Sequence, residues 1–86
     1  MNILFTPESW DDYLYWQKYD KKILSKINSI IKDITRDPFN GIGKPEPLKH
    51  ILQGCWSRRI NSEHRVVYEV LENQINIISC RYHYDK

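Results

Sequence analysis

Apolar residues recur along this chain in more than one rhythm, and each rhythm predicts an element. Asn2 to Phe5 (NILF) reads as a short first strand. Thr6, Pro7 and Glu8 then supply an N-cap, a proline at the first helical position and an acid in the first turn, so a helix starts there. Within that helix Trp10, Tyr13, Leu14 and Gln17 share one stripe. Tyr15 and Tyr19 fall on the other side, about 140–180° from Trp10 at roughly 100° per residue. Cover by a loop and a protein interface are both open explanations for that second aromatic side. Asp20 caps a second helix that runs to Thr35 or Arg36. Its residues Ile23, Ile27, Ile30, Ile31 and Ile34, with Leu24 beside them, form one apolar face directed at a core. Asp37-Pro38 stops it, because the residue before a proline resists helical geometry.

A long connection, DPFNGIGKPEPLKH, follows with three prolines and two glycines. A connection of that length in so short a chain points to function. After it the rhythm becomes alternation. CWSRRI, RVVYEV and INIISCRYHY predict three strands, joined by short turns at Asn61-Ser62-Glu63 and around Asn73. The order is βααβββ, an α+β fold with an antiparallel sheet packed against two N-terminal helices, in one domain spanning residues 1–86.

Parity assigns the side chains. Val66, Tyr68 and Val70 on one strand, and Ile78, Cys80 and Tyr82 on the next, are directed at the core. Trp56 and Ile60 join them, and Arg58 shares their parity. The opposite face then carries Arg59, Arg65, Arg81 and His83. A three-residue turn from Asn61 to Glu63 sets Arg59 opposite Arg65, and Cys55 and Cys80 fall on opposite faces, which argues against a disulfide.

Composition narrows the class. The chain has 86 residues, 41% hydrophobic and 28% charged, a balance that disfavours a disordered chain. No apolar run approaches a membrane span and the N-terminus has no signal pattern, so no membrane partner and a cytoplasmic setting are expected. Cys55 and Cys80 read as small buried hydrophobes. Together with His50, His64 and His83 they contain no zinc-ligand spacing, so no metal or cofactor is expected. The net charge is only +2, but Lys49, Arg58, Arg59, Arg65 and Arg81 lie near the histidines in the second half. Such a local patch suits a phosphate group, although a solvated polar face would look similar. Cleaving a phosphodiester also needs an acid and a base around that phosphate. His83 supplies one. Glu46 supplies a carboxylate on a stiff backbone between Pro45 and Pro47, with Lys49 and His50 just beyond.

The segments ESWDDYLYW, KPEPLKH, CWSRRI, EHRVVYEV and CRYHY resemble, in order and over nearly the whole chain, those of YoeB-type toxins in the RelE/ParE superfamily. The resemblance implies the RelE-like microbial RNase fold. It also implies a ribosome-dependent endoribonuclease that cuts mRNA in the ribosomal A site, without a metal, by attack of the ribose 2′-hydroxyl. By resemblance Glu46 is the general base, Arg65 stabilises charge on the phosphate, and His83 is the general acid with Tyr84 beside it. Lys49 and Arg59 match assisting basic positions, and Arg81 and His50 are added from the patch itself. The implied partners are mRNA, the ribosome and a YefM-like antitoxin, and a homodimer is a further expectation through Tyr15 and Tyr19. The chain departs from the pattern at Cys55, where a larger aromatic is usual, and at Asp85-Lys86, which run past Tyr84. A rival on the same scaffold is a ParE-like toxin that poisons DNA gyrase. Such a protein has no use for an acid–base pair, so Glu46 and His83 argue against it.

Overall fold

The computed structural model of the chain describes residues 1–82. Strand β1 (Asn2–Phe5) leads into helices α1 (Pro7–Tyr19) and α2 (Lys21–Arg36). Four more strands follow: β2 (Glu46–Pro47), β3 (Cys55–Arg59), β4 (Arg65–Leu71) and β5 (Gln74–Ser79), with a 3-10 turn at His50–Leu52 between β2 and β3. The sheet has the order β1-β5-β4-β3-β2, with the helices packed against it. The expected meander β3-β4-β5 is antiparallel, β1 adds to it in parallel beside β5, and β2 adds an antiparallel edge. Part of what reads as loop, the PEP segment, is therefore a strand. Pro47 is tolerated in it because β2 lies at the edge of the sheet.

The helix boundaries follow from their caps. Thr6 Oγ1 accepts the Ser9 amide at 3.1 Å, and Pro7 occupies the first helical position. Asp20 serves both helices. Its own amide donates to the Trp16 carbonyl, and its carboxylate accepts the amides of Lys22 and Ile23. Asp37 closes α2 by donating to the Asp33 carbonyl. The isoleucine face is the core: Ile27, Ile30 and Ile34 are fully buried against Val66, Tyr68, Ile75, Ile77 and Cys80. Each such side chain contributes about 1.5–3 kcal/mol of burial.

Two expectations are corrected. The buried stripe of α1 is Ser9 and Trp16, whereas Trp10 and Leu14 are 46% and 40% exposed. The small Ser9 lets α1 approach the chain after β5 closely, with its carbonyl 3.7 Å from Cys80 Sγ. Trp16 then donates its indole N–H to the Cys80 carbonyl at 2.9 Å, which satisfies a buried polar group. The second correction concerns β5, which stops at Ser79. A bulge shifts the register between Val67↔Ser79 and Tyr68↔Ile77, so Ile75 and Ile77 fill the core where parity assigned Ile78. Cys80 stays in the core, and burial pushes its thiol up to about 12, helped by Asp12. Arg81 leaves the face on which parity had placed it. No helix among the described residues is long and apolar enough to cross a membrane.

Candidate functional site

Glu46 is positioned from both sides. Downstream, Leu48 is buried and its amide donates to the Cys55 carbonyl at 2.9 Å. Upstream, the loop after α2 is wrapped around Arg58, whose side chain is wholly buried. That guanidinium donates to the Asp33 carboxylate, to the carbonyls of Asp37, Asn40 and Ile42, and to Tyr68 Oη. Asp33 also accepts from Arg36 and the Ile42 amide, and these bonds hold its carboxyl well below the usual range. Gly43 then passes against β3. Its carbonyl accepts the Arg59 amide, and with φ at +80° a side chain there would meet the Arg59 carbonyl at 2.9 Å.

Register gathers the site on the sheet face opposite the helices. Glu46 faces Ser57, Ser57 faces Val67, and Arg59 faces Arg65. Facing residues project to the same side, so Glu46, Arg59 and Arg65 share one face, with the buried Ser57 and Val67 between them. Strand spacing sets Glu46 about 10 Å across and about 7 Å along the sheet from Arg65, within reach of one phosphate for two long side chains. Arg59 is exposed and Arg65 half-buried. Arg65 Nη1 donates to the carbonyls of Asn61 and His64 at 2.9 and 3.1 Å, which fixes its guanidinium at the turn. Among the described residues neither arginine is in an ion pair, although like charges opposed across strands repel. The three-residue turn expected from the sequence is present, closed by the Ile60 amide on the His64 carbonyl.

The other expected residues divide. Lys49 and His50 are exposed where the chain turns from β2 towards β3, beyond Cys55 and so at the opposite end of β3 from Arg59. Arg81 is not on that face. Because β5 ends early, its guanidinium lies 3.5 Å from the centre of the Tyr15 ring and 4.7 Å from that of Tyr82. Tyr15 is thus covered by the segment that follows β5. His83 and Tyr84 lie outside the described residues. One residue was missed: His64 is buried, and its Nδ1 accepts the Tyr82 amide at 2.7 Å. Its place beside Arg65, closing a tight turn, was the available signal.

Known proteins share this fold. The model of the YoeB-like toxin of bacterial type II toxin-antitoxin systems matches residues 5–84. The chain belongs to that family. A Synechocystis relative, Toxin YoeB, is 62% identical over 86 residues, covering all of both chains. A solved YoeB dimer from Staphylococcus aureus superposes with a TM-score of 0.91 at 54% identity, covering 98% of each chain. A YoeB-YefM complex from the same organism gives 0.90 at 53% identity, again over 98% of each chain. The toxin fold is accordingly the two-helix, mixed-sheet arrangement of this family.

Proposed function

We propose that this toxin is an endoribonuclease that cuts mRNA on the ribosome. The observation that carries the reading is the sheet face opposite the helices, which Glu46 shares with two arginines that no carboxylate neutralises among the described residues. Such a face suits a phosphate flanked by a base. Glu46 takes the proton from the ribose 2′-hydroxyl, whose oxygen attacks the adjacent phosphorus. Arg65, assisted by Arg59, stabilises the charge that builds on the non-bridging oxygens. His83 protonates the departing 5′-oxygen, with Tyr84 beside it. Lys49 and His50 extend the track for the RNA backbone. Arg81, stacked on Tyr15, serves the shape of the C-terminal segment. The small basic patch, on a chain of net charge +2, suits a substrate positioned by the ribosome more than free RNA held by charge alone.

A YefM-like antitoxin is the proposed inhibitor, as the solved YoeB-YefM complex suggests by likeness. Self-association is proposed through the aromatic group Phe5, Trp10 and Tyr13 with the exposed Leu4 and Leu14, in place of Tyr15 and Tyr19. The test is to add purified toxin to translating ribosomes and map the ends. Products with a 2′,3′-cyclic phosphate or a 3′-phosphate are expected, and Arg65→Ala should lower the rate roughly 10²–10³-fold. Ends bearing a 3′-hydroxyl would overturn the mechanism. Gyrase inhibition without RNA cleavage would overturn the function.

A further inference from the structure

His64 has no place in the chemistry above, yet it is the most constrained imidazole among the described residues. The residue is 6% exposed, and its ring stands edge-on to Trp16, with centroids 4.7 Å apart. Nδ1 accepts the Tyr82 amide at 2.7 Å, while the next residue, Arg65, donates its own amide to the Tyr82 carbonyl at 3.1 Å. Tyr82 is thereby held on both sides by consecutive residues at the start of β4. It adopts φ +66°, a left-handed conformation disfavoured for a residue with a side chain. Without those two bonds, little in the local sequence would keep it there. The bond that follows leads into His83.

We propose that His64 is a positioning residue, a latch that fixes the backbone at Tyr82, the residue that precedes His83 in the chain, only while its imidazole is neutral. The consequence for cleavage rests on the endoribonuclease reading, whereas the latch itself does not. The reason is the lone pair on Nδ1. A protonated imidazole carries N–H groups on both nitrogens, so it would present a donor to the Tyr82 donor and the bond would be lost. Histidine ionises ordinarily near about pH 6.5, within reach of mild acidity.

Among the described residues, the charged and titratable neighbours act in both directions. From the turn, Glu63 lies 3.6 Å from Nε2 and favours the imidazolium. From β4, the Arg65 guanidinium sits on the His64 carbonyl and opposes it. From the C-terminal segment, Arg81 opposes it too, bonded at 3.0 Å to the Tyr82 phenol. From α1 comes the uncharged indole of Trp16, flanked by Tyr15 and, one turn earlier, by Asp12, which accepts the Cys80 amide at 3.0 Å.

The experiment follows the Tyr82 amide of the full-length toxin by NMR and hydrogen exchange as the pH is lowered from about 8 to about 5. Protection of that amide should fall in step with the imidazole titration of His64, while the amides of Val66 and Ile77 remain protected. His64→Asn places an uncharged acceptor near the Nδ1 position and should keep Tyr82 protected throughout. His64→Phe keeps the ring against Trp16 but should leave Tyr82 unprotected at every pH. On ribosomes, His64→Phe should lower kcat roughly 10–100-fold with KM little changed. His64→Asn should recover most of that loss and flatten the acid-side fall expected of the wild type. Sustained protection of Tyr82 after His64 is charged, or in folded His64→Phe, would overturn the latch. If His64→Phe does not fold, the wild-type titration and His64→Asn decide the matter. If the wild type cuts no RNA at any pH, the endoribonuclease reading falls, and the exchange data still decide the latch.

Discussion

Replacing Arg58 by alanine tests how the loop that presents Glu46 is held. The guanidinium makes four hydrogen bonds to uncharged acceptors, the carbonyls of Asp37, Asn40 and Ile42 and the hydroxyl of Tyr68, besides its pair with Asp33. At about 1 kcal/mol net for each of the four, the loss is on the order of 4 kcal/mol. The Asp33 pair adds little to that figure, because Asp33 keeps Arg36 and the Ile42 amide. A chain of this size is stable by roughly 4–13 kcal/mol in all. Arg58→Ala should therefore lower Tm by roughly 16–32 °C. Urea unfolding followed by tryptophan fluorescence measures it directly, since Trp56 packs on Phe39 of the same loop with ring centroids 5.0 Å apart. Arg58→Lys should recover less than half, because an ammonium cannot reproduce the planar fork. A loss below about 1 kcal/mol for Arg58→Ala would refute the reasoning, since even one of the four bonds would account for it.

Two further outcomes are expected. The depressed carboxyl of Asp33 contributes stability that is present above the ordinary aspartate value of about 3.9 and is lost as the pH falls through its folded value. Acid unfolding curves of Asp33→Asn should thus be flatter than those of the wild type in that range; parallel curves would count against the assignment. Cys80, with its thiol raised to about 12, should resist alkylation in the native state and react only on unfolding, whereas half-buried Cys55 should label first. Mass spectrometry of labelled peptides distinguishes the two, and early labelling of Cys80 would contradict its burial.

The parts legible in the sequence are those fixed by local rules. Ile27, Ile30 and Ile34 repeat at helical spacing and needed no tertiary information. The Asp20 cap and the Asp37-Pro38 stop are equally local, and so is the short turn that sets Arg59 against Arg65. What was not legible depends on partners far along the chain. The face of α1 is chosen by the close approach of Ser9 to Cys80 and by a carbonyl for Trp16, neither of which hydrophobic counting registers. The bulge at Ile78 adds a residue to β5 and inverts the parity used to place Arg81. A bulge has no composition of its own, and Ile-Ile reads the same in either register. The role of His64 is not legible either, because its place beside Arg65 at a tight turn marks the residue without showing that Tyr82 folds back onto it.

The parallel pairing of β1 with β5 joins Asn2 to Gln74, so the first strand waits for the last described one. During synthesis, α1 and α2 can form as soon as they emerge, because their hydrogen bonds are local. The groove that takes the Trp16 indole does not exist until Cys80 has left the ribosome, and β1 has no neighbour until β5 is made. Contacts of such long sequence separation form slowly and late. A nascent chain of this protein is therefore held short of its folded sheet until Cys80 has emerged, so the first strand and the Trp16 contact are completed together.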